Sequence, residues 1–182
     1  MSIKLSGSRT PHWGAGGPKQ INMPNKPNLL NAILLTGLIA GTMDATAASI
    51  QFYINTGKDP ALVFRYIASA VFKDETKTGS LYGWAAVGLL FHYLIAMTWT
   101  VVFYLLFKPI RSILTNKYVA GIVYAAFVWC VMNLIVVPVA FNRPIHLIAK
   151  NALIAYGILV IAIGLPISLM ADWYYRRKAK SV

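Results

Sequence analysis

Four apolar runs dominate this chain, at about 29–54, 81–107, 119–140 and 147–174. Each exceeds the ~20 residues that cross a ~30 Å hydrocarbon layer as a helix. Inside a bilayer no water satisfies backbone N–H and C=O groups, so a spanning run must satisfy them internally, as a helix does. The expected fold class is an all-α integral membrane protein, a bundle of four transmembrane helices forming one domain. Composition agrees. The 182 residues are 58% hydrophobic and 12% charged, with mean hydropathy +0.60. A soluble domain carries about 25% charged residues, and half of that does not cover a water-facing surface.

A fifth apolar stretch, 60–72, lies between the first two runs. Its 13 residues are too few to span. Asp59 suits a cap and Pro60 a first helical position. The stretch reads as a short interfacial or re-entrant helix, and Lys73-Asp74-Glu75-Thr76-Lys77 returns the chain to water. Before the first run, residues 1–28 are broken by Pro11, Gly14, Gly16, Gly17, Pro18, Pro24 and Pro27, and read as an irregular tail. Ala45-Thr46-Ala47 has the form of a signal-peptidase site. A 28-residue polar lead is long for a signal, so the first run is read as a retained span.

The net charge of +12 does not indicate nucleic acid. The bases sit in short segments flanking apolar runs, as membrane flanks do beside anionic headgroups, and they lack interleaved aromatics. Eleven Lys and Arg fall on the side of the termini and the 108–118 loop, against six on the other side. The richer side is cytoplasmic, so both termini, including a basic end at 176–182, are expected in the cytoplasm. Trp173, Tyr174 and Tyr175 form an aromatic anchor before that end. The single Cys130 lies within an apolar run and reads as a small packing residue.

Asp44 is the sharpest local feature, since an acid inside a span is costly and faces the bundle interior. At 100° per residue Gly37, Gly41, Ala48 and Gln51 share its face, and Gly37 and Gly41 make a G-x-x-x-G pair that admits a close neighbouring backbone. In the second run His92 shares a face with Ala85, Gly88, Ala96 and Trp99. Asp44 lies ~15 Å below Ile54 and His92 ~16 Å below Leu81 at 1.5 Å per residue, so the two are at matching depth. Asn133, Asn151 and Tyr156 complete an expected polar cluster in the outer half of the bundle, with Arg65 at its mouth. Such a cluster is either a proton or ligand site or a set of interhelical hydrogen bonds that fixes packing. Haem ligation by His92 lacks a partner at the same depth, and one Asp with one His falls short of a metal set. No nucleophile triad or phosphate loop is present. No catalytic residue, metal or cofactor is therefore assigned. Pro138 and Pro166 are read as shaping the third and fourth helices.

The words Gly37-Leu38-Ile39-Ala40-Gly41, Gly83-Trp84 leading to Phe91-His92, and Trp173-Tyr174-Tyr175-Arg176-Arg177 resemble the YagU-like group of uncharacterised bacterial inner-membrane proteins. The resemblance covers most of residues 34–177 and implies a bacterial inner-membrane setting without a mechanism. Three functions are then open. The first is association, as an accessory subunit of a larger membrane complex or by self-association, supported by the small size and the G-x-x-x-G face. The second is a small transporter or proton-linked permeation unit using Asp44 and His92. The third is a lipid-directed enzyme, suggested only by the interfacial helix.

Overall fold

A computed structural model describes residues 28–142, 144 and 149–180. Every regular element among them is helical. Four helices are long and apolar enough to cross a membrane: α1 (Leu29–Thr56), α3 (Leu81–Ile113), α4 (Lys117–Phe141) and α5 (Ala149–Ala179), while the short α2 (Ala61–Phe72) lies between the first two. Only 17–28% of each spanning window is buried within the protein. Much of the rest is exposed apolar surface, which places these helices in contact with lipid. Residues 1–27, most of the expected tail, lie outside the described residues, as do 145–148 at the expected start of the fourth run and the last two residues. The expected basic end is helical as far as it is described, continuing the last helix to Lys180.

Local chemistry sets the boundaries. Asn28 caps α1 through its side-chain oxygen, which accepts from the Leu30 N–H at 3.0 Å. Gly57, at φ 65°, ends that helix in the left-handed conformation glycine tolerates, its N–H donating to the Tyr53 carbonyl. Asp59 accepts the Ala61 N–H at 2.8 Å at the head of α2, and the Tyr82 hydroxyl donates to its other oxygen at 2.8 Å. These bonds, the backbone one foremost, hold the Asp59 carboxyl below the usual carboxylate range. Ser80 caps α3 by accepting from the Gly83 N–H.

One boundary differs from expectation. The sequence places the end of the second run before Pro109, yet α3 continues through it to Ile113. Proline frees a carbonyl one turn back, which a helix near its end tolerates when other donors close the final turn. Here Ser112 Oγ donates to the Pro109 carbonyl at 2.8 Å, and the Arg111 guanidinium donates to the carbonyls of Leu114 and Thr115.

Both remaining helix prolines follow a widened turn. In α4 the turn Met132–Val136 is π-helical, with the Val137 N–H reaching the Met132 carbonyl, and Pro138 follows. In α5 the turn Val160–Gly164 is π-helical, with the Leu165 N–H reaching the Val160 carbonyl, and Pro166 follows. A proline ring clashes with the carbonyl four residues back. Widening the turn ahead of it moves that carbonyl aside without breaking the helix.

The core sits toward the end of the bundle that carries the termini. Ala40 of α1, Phe103, Tyr104 and Phe107 of α3, Tyr124 and Val128 of α4, and Ile163, Ile167, Ala171 and Tyr174 of α5 pack together there. Tyr124 donates to the Trp99 carbonyl at 2.5 Å, and the hydroxyls of Thr36 and Tyr104 meet at 2.9 Å. Lipid offers no hydrophobic drive between helices, so close approach at small residues does that work. Gly121 and Gly164 face each other across α4 and α5, and a Cβ on Gly121 would lie 2.7 Å from the Gly164 carbonyl oxygen. A Cβ on Gly88 would overlap the Phe64 carbonyl, so α2 rests backbone to backbone on α3. Gly88→Ala should therefore lower stability by about 1–3 kcal/mol through overpacking. Gly157→Ala, with nothing within 4 Å, should raise it by up to about 1 kcal/mol through helix propensity. Thermal unfolding of the two variants in mild detergent checks both signs.

Candidate intramembrane site

The half of the bundle away from the termini is not filled. There α1, α3, α4 and the first part of α5 diverge around a cavity of about 440 Å³, roofed by Val63, Ile67 and Ala70 of α2. The volume lies within the ~300–1,000 Å³ common for small-molecule sites. Its wall is mainly apolar and aromatic, with Phe64, Trp99, Trp129 and Phe141 prominent.

Asp44 and His92 lie on this wall together. The carboxylate Oδ2 is 3.9 Å from His92 Nε2, and the two side chains keep 20% and 12% of their exposure. At that separation they interact by charge and not by a hydrogen bond. His92 Nε2 lies 3.0 Å from the Gly41 carbonyl oxygen instead. A carbonyl only accepts, so this contact puts a proton on Nε2. Phe64 of α2 and Tyr93 meet the imidazole edge-on. Asp44 makes no hydrogen bond to another described residue that would tie it into packing. Its carboxylate faces the cavity.

The other expected cluster members divide. Ala48 and Gln51 line the cavity, as does Asn133, whose amide donates to the Trp129 carbonyl at 2.9 Å within the π turn. Asn151 and Tyr156 do not join them. Asn151 is exposed, two residues into α5, although Ala155 one turn later lines the cavity. A shared helix face buries a residue only where a neighbouring helix extends that far. Tyr156 turns toward the flank of α4 and donates to the Ile122 carbonyl at 3.2 Å. Gly37 and Gly41 do admit a close neighbour, and it belongs to the same chain. A Cβ on Gly37 would lie 2.7 Å from the Met97 sulfur, and one on Gly41 would lie 3.0 Å from Tyr93 and 3.2 Å from Ala96. Gly88 serves the α2 contact described above.

Arg65 lies in a second, more open space of about 800 Å³ at the mouth. Lys58, Lys73 and Lys77 also line this vestibule, and Asp74 is the one acid among its described residues. Lys77 pairs with Asp74 at 2.6 Å, and that hydrogen bond holds the Asp74 carboxyl below the usual range. Vestibule and cavity share Val63, Tyr66, Ala140 and Phe141. The rings of Tyr66 and Phe141 stack there, centroids 4.2 Å apart and planes 7° from parallel.

Two features escaped the sequence reading. Trp129 Nε1 is buried without a hydrogen-bond partner, on the cavity wall. Asp172, 7% exposed, holds Arg176 at 2.7 Å and Arg111 at 3.5 Å, tying α5 to the end of α3. The i,i+4 spacing of Asp172 and Arg176 is the signal that marks it. No group of three or more possible metal ligands occurs among the described residues. In comparisons with known proteins, no family model, curated protein or solved structure matches the chain.

Breaking the Asp172 pairs strands a shielded guanidinium. Asp172→Asn should cost about 3 kcal/mol, and Arg176→Ala, at an exposed partner, less than about 1 kcal/mol. Unfolding of the two variants in detergent reads the difference.

Proposed function

We propose that this chain is a small proton-linked permeation unit, with Asp44 and His92 as its titrating pair and the cavity between α1, α3 and α4 as its site. One observation carries the reading. The intramembrane acid lines an open space with no hydrogen bond to a described residue, 3.9 Å from His92, which itself bonds the Gly41 carbonyl across α1 and α3. Polar groups whose task is to fix helix packing form direct interhelical hydrogen bonds, whereas an acid facing a cavity within a span marks a pathway. Besides the pair, the Tyr66 hydroxyl is the only titratable group among the described cavity-lining residues. Gln51, Trp129 and Asn133 supply neutral polar atoms. Proton exchange at the site thus falls to Asp44 and His92.

The core that includes Tyr124, Val128 and Ile163 closes the cavity toward the termini. Passage across the membrane then requires a second arrangement, and the π turns of α4 and α5 beside the site supply places where a helix can readjust. The excess of Lys and Arg on the termini side supports cytoplasmic termini and a cavity that opens outward. The resemblance to YagU-like proteins supports a bacterial inner membrane. Action as an accessory subunit has less support than the sequence alone lends it, because the Gly37/Gly41 face is occupied by α3 of the same chain.

Proteoliposomes loaded with a pH-sensitive dye test the proposal. The unaltered protein should dissipate an imposed proton gradient faster than protein-free vesicles. Asp44→Asn, which keeps size and shape, should return the rate to the protein-free level, and His92→Gln should shift the pH at which the rate is half-maximal. A gradient that decays equally fast with the unaltered protein and with Asp44→Asn, or no faster than in protein-free vesicles, would sink it.

A further inference from the structure

We propose that the cavity and its vestibule form one binding site for an amphiphile with an anionic head and a hydrocarbon tail. The inference rests on the cavity being a ligand site, and it does not require Asp44 to carry a proton.

The vestibule supplies the head site. Lys58 reaches it from the α1–α2 turn, Arg65 from the middle of α2, and Lys73 from the end of α2. With Asp74 engaged by Lys77, these three cations have no acidic partner among the described residues. Arg65 is the one charge in the otherwise apolar helix ALVFRYIASAVF, and it is half-buried. A partly desolvated cation without a counter-charge is costly, and Arg65 with the exposed Lys58 and Lys73 converging beside it on one space is an arrangement that an anion relieves. The backbone marks the same place. Lys73 at φ 45° and Asn142 at φ 47° are the only non-glycine residues at positive φ among the described residues, and both line the vestibule. Asn142 is the left-handed cap that ends α4, whereas Lys73, at ψ −121°, holds a strained conformation of the kind that clusters at ligand clamps.

The cavity supplies the tail site. Val63, Ile67, Ile95, Val128, Met132 and Leu159 line it along with the aromatic rings already named. Asp44 and His92 stand side by side on one part of this wall, and the apolar remainder is left for a tail. The two spaces share Val63, Tyr66, Ala140 and Phe141. The Tyr66 and Phe141 rings are in face-to-face contact, so a tail enters beside the pair or by parting it, a passage that suits a slim chain and not a bulky head. The combination excludes the alternatives. An organic cation is repelled at the mouth, a small polar anion gains nothing from the apolar interior, and a neutral hydrocarbon makes no use of the cations.

The tryptophans allow a direct test, because a brominated chain quenches indole fluorescence on contact. With Trp13, Trp84 and Trp173 replaced by Phe, emission comes from Trp99 and Trp129, both on the cavity wall. The full chain in neutral phosphatidylcholine nanodiscs is titrated with dibromostearate. Quenching should saturate and be reversed by oleate and by dodecyl phosphate, but not by inorganic phosphate or by oleyl alcohol. Arg65→Gln, and separately the surface pair Lys58→Gln with Lys73→Gln, should each raise the half-saturating concentration about tenfold, while Arg65→Lys should restore most of the affinity. Quenching that rises without saturation, that oleyl alcohol reverses as well as oleate does, or that is unchanged in the Lys58/Lys73 variant overturns the proposal. Saturable quenching retained in Asp44→Asn, alongside unaltered proton flux, would leave this site standing while removing the proton-linked reading.

Discussion

The contact between Gly88 and the Phe64 carbonyl governs everything at the mouth of this bundle. Helix α2 is too short to span and carries an arginine, so by itself it has no reason to stay among apolar helices. It is held there because α3 offers a position with no side chain, where the backbone of α2 can seat. The rings of Phe72, Trp84 and Phe91 extend the same contact along α3. The roof of the cavity, the placement of Arg65, and the edge contact of Phe64 with His92 all follow from that one approach. Without it the vestibule would be a flat surface and Asp44 would face open lipid.

A second constraint shapes the opposite wall. Proline in a membrane helix must free a carbonyl, and this protein handles Pro138 and Pro166 alike, with a five-residue π turn ending two positions earlier. Both turns border the cavity. Met132, Asn133 and Val136 come from one and Ile163 from the other. The irregular turn of α4 thus serves the cavity wall, while that of α5 serves both regions: Ile163 lines the cavity and joins the core, and Gly164 makes the close crossing with Gly121.

Much of this arrangement is legible in the residues. Hydropathy places four spans because a bilayer leaves the backbone no alternative to a helix. The length of 60–72 marks the short helix for the same reason. The Asp44–His92 juxtaposition follows from face and depth, two quantities that a regular helix fixes. Where regularity fails, so does the reading. Asn151 stands at the end of α5, where face arithmetic says nothing about how far a neighbour extends. Continuation of α3 through Pro109 depends on the Ser112 hydroxyl and the Arg111 guanidinium, which are tertiary details. Asp172 sits among basic flanking residues and reads as part of a membrane border, yet it is buried between two arginines. Of the vestibule cations, Arg65 is legible at the mouth, while Lys58 and Lys73 enter the sequence reading only as a count for topology. Their convergence needs the fold.

The π turn of α4 has an implication of another kind. Five residues there occupy the arc that an α-helix would fill with about four, so the turn behaves as a one-residue insertion into an otherwise uniform helix. Its effect is rotational. Everything beyond Val136 is turned by about 100° relative to an uninterrupted helix. Ala140 and Phe141 face the cavity, and Phe141 meets Tyr66, only because of that offset. Shortening the turn by one residue would leave Val128 and the core below it where they are, and swing the upper wall toward lipid. In this protein the identity of the threshold residues is thus written in the count of residues as much as in their chemistry.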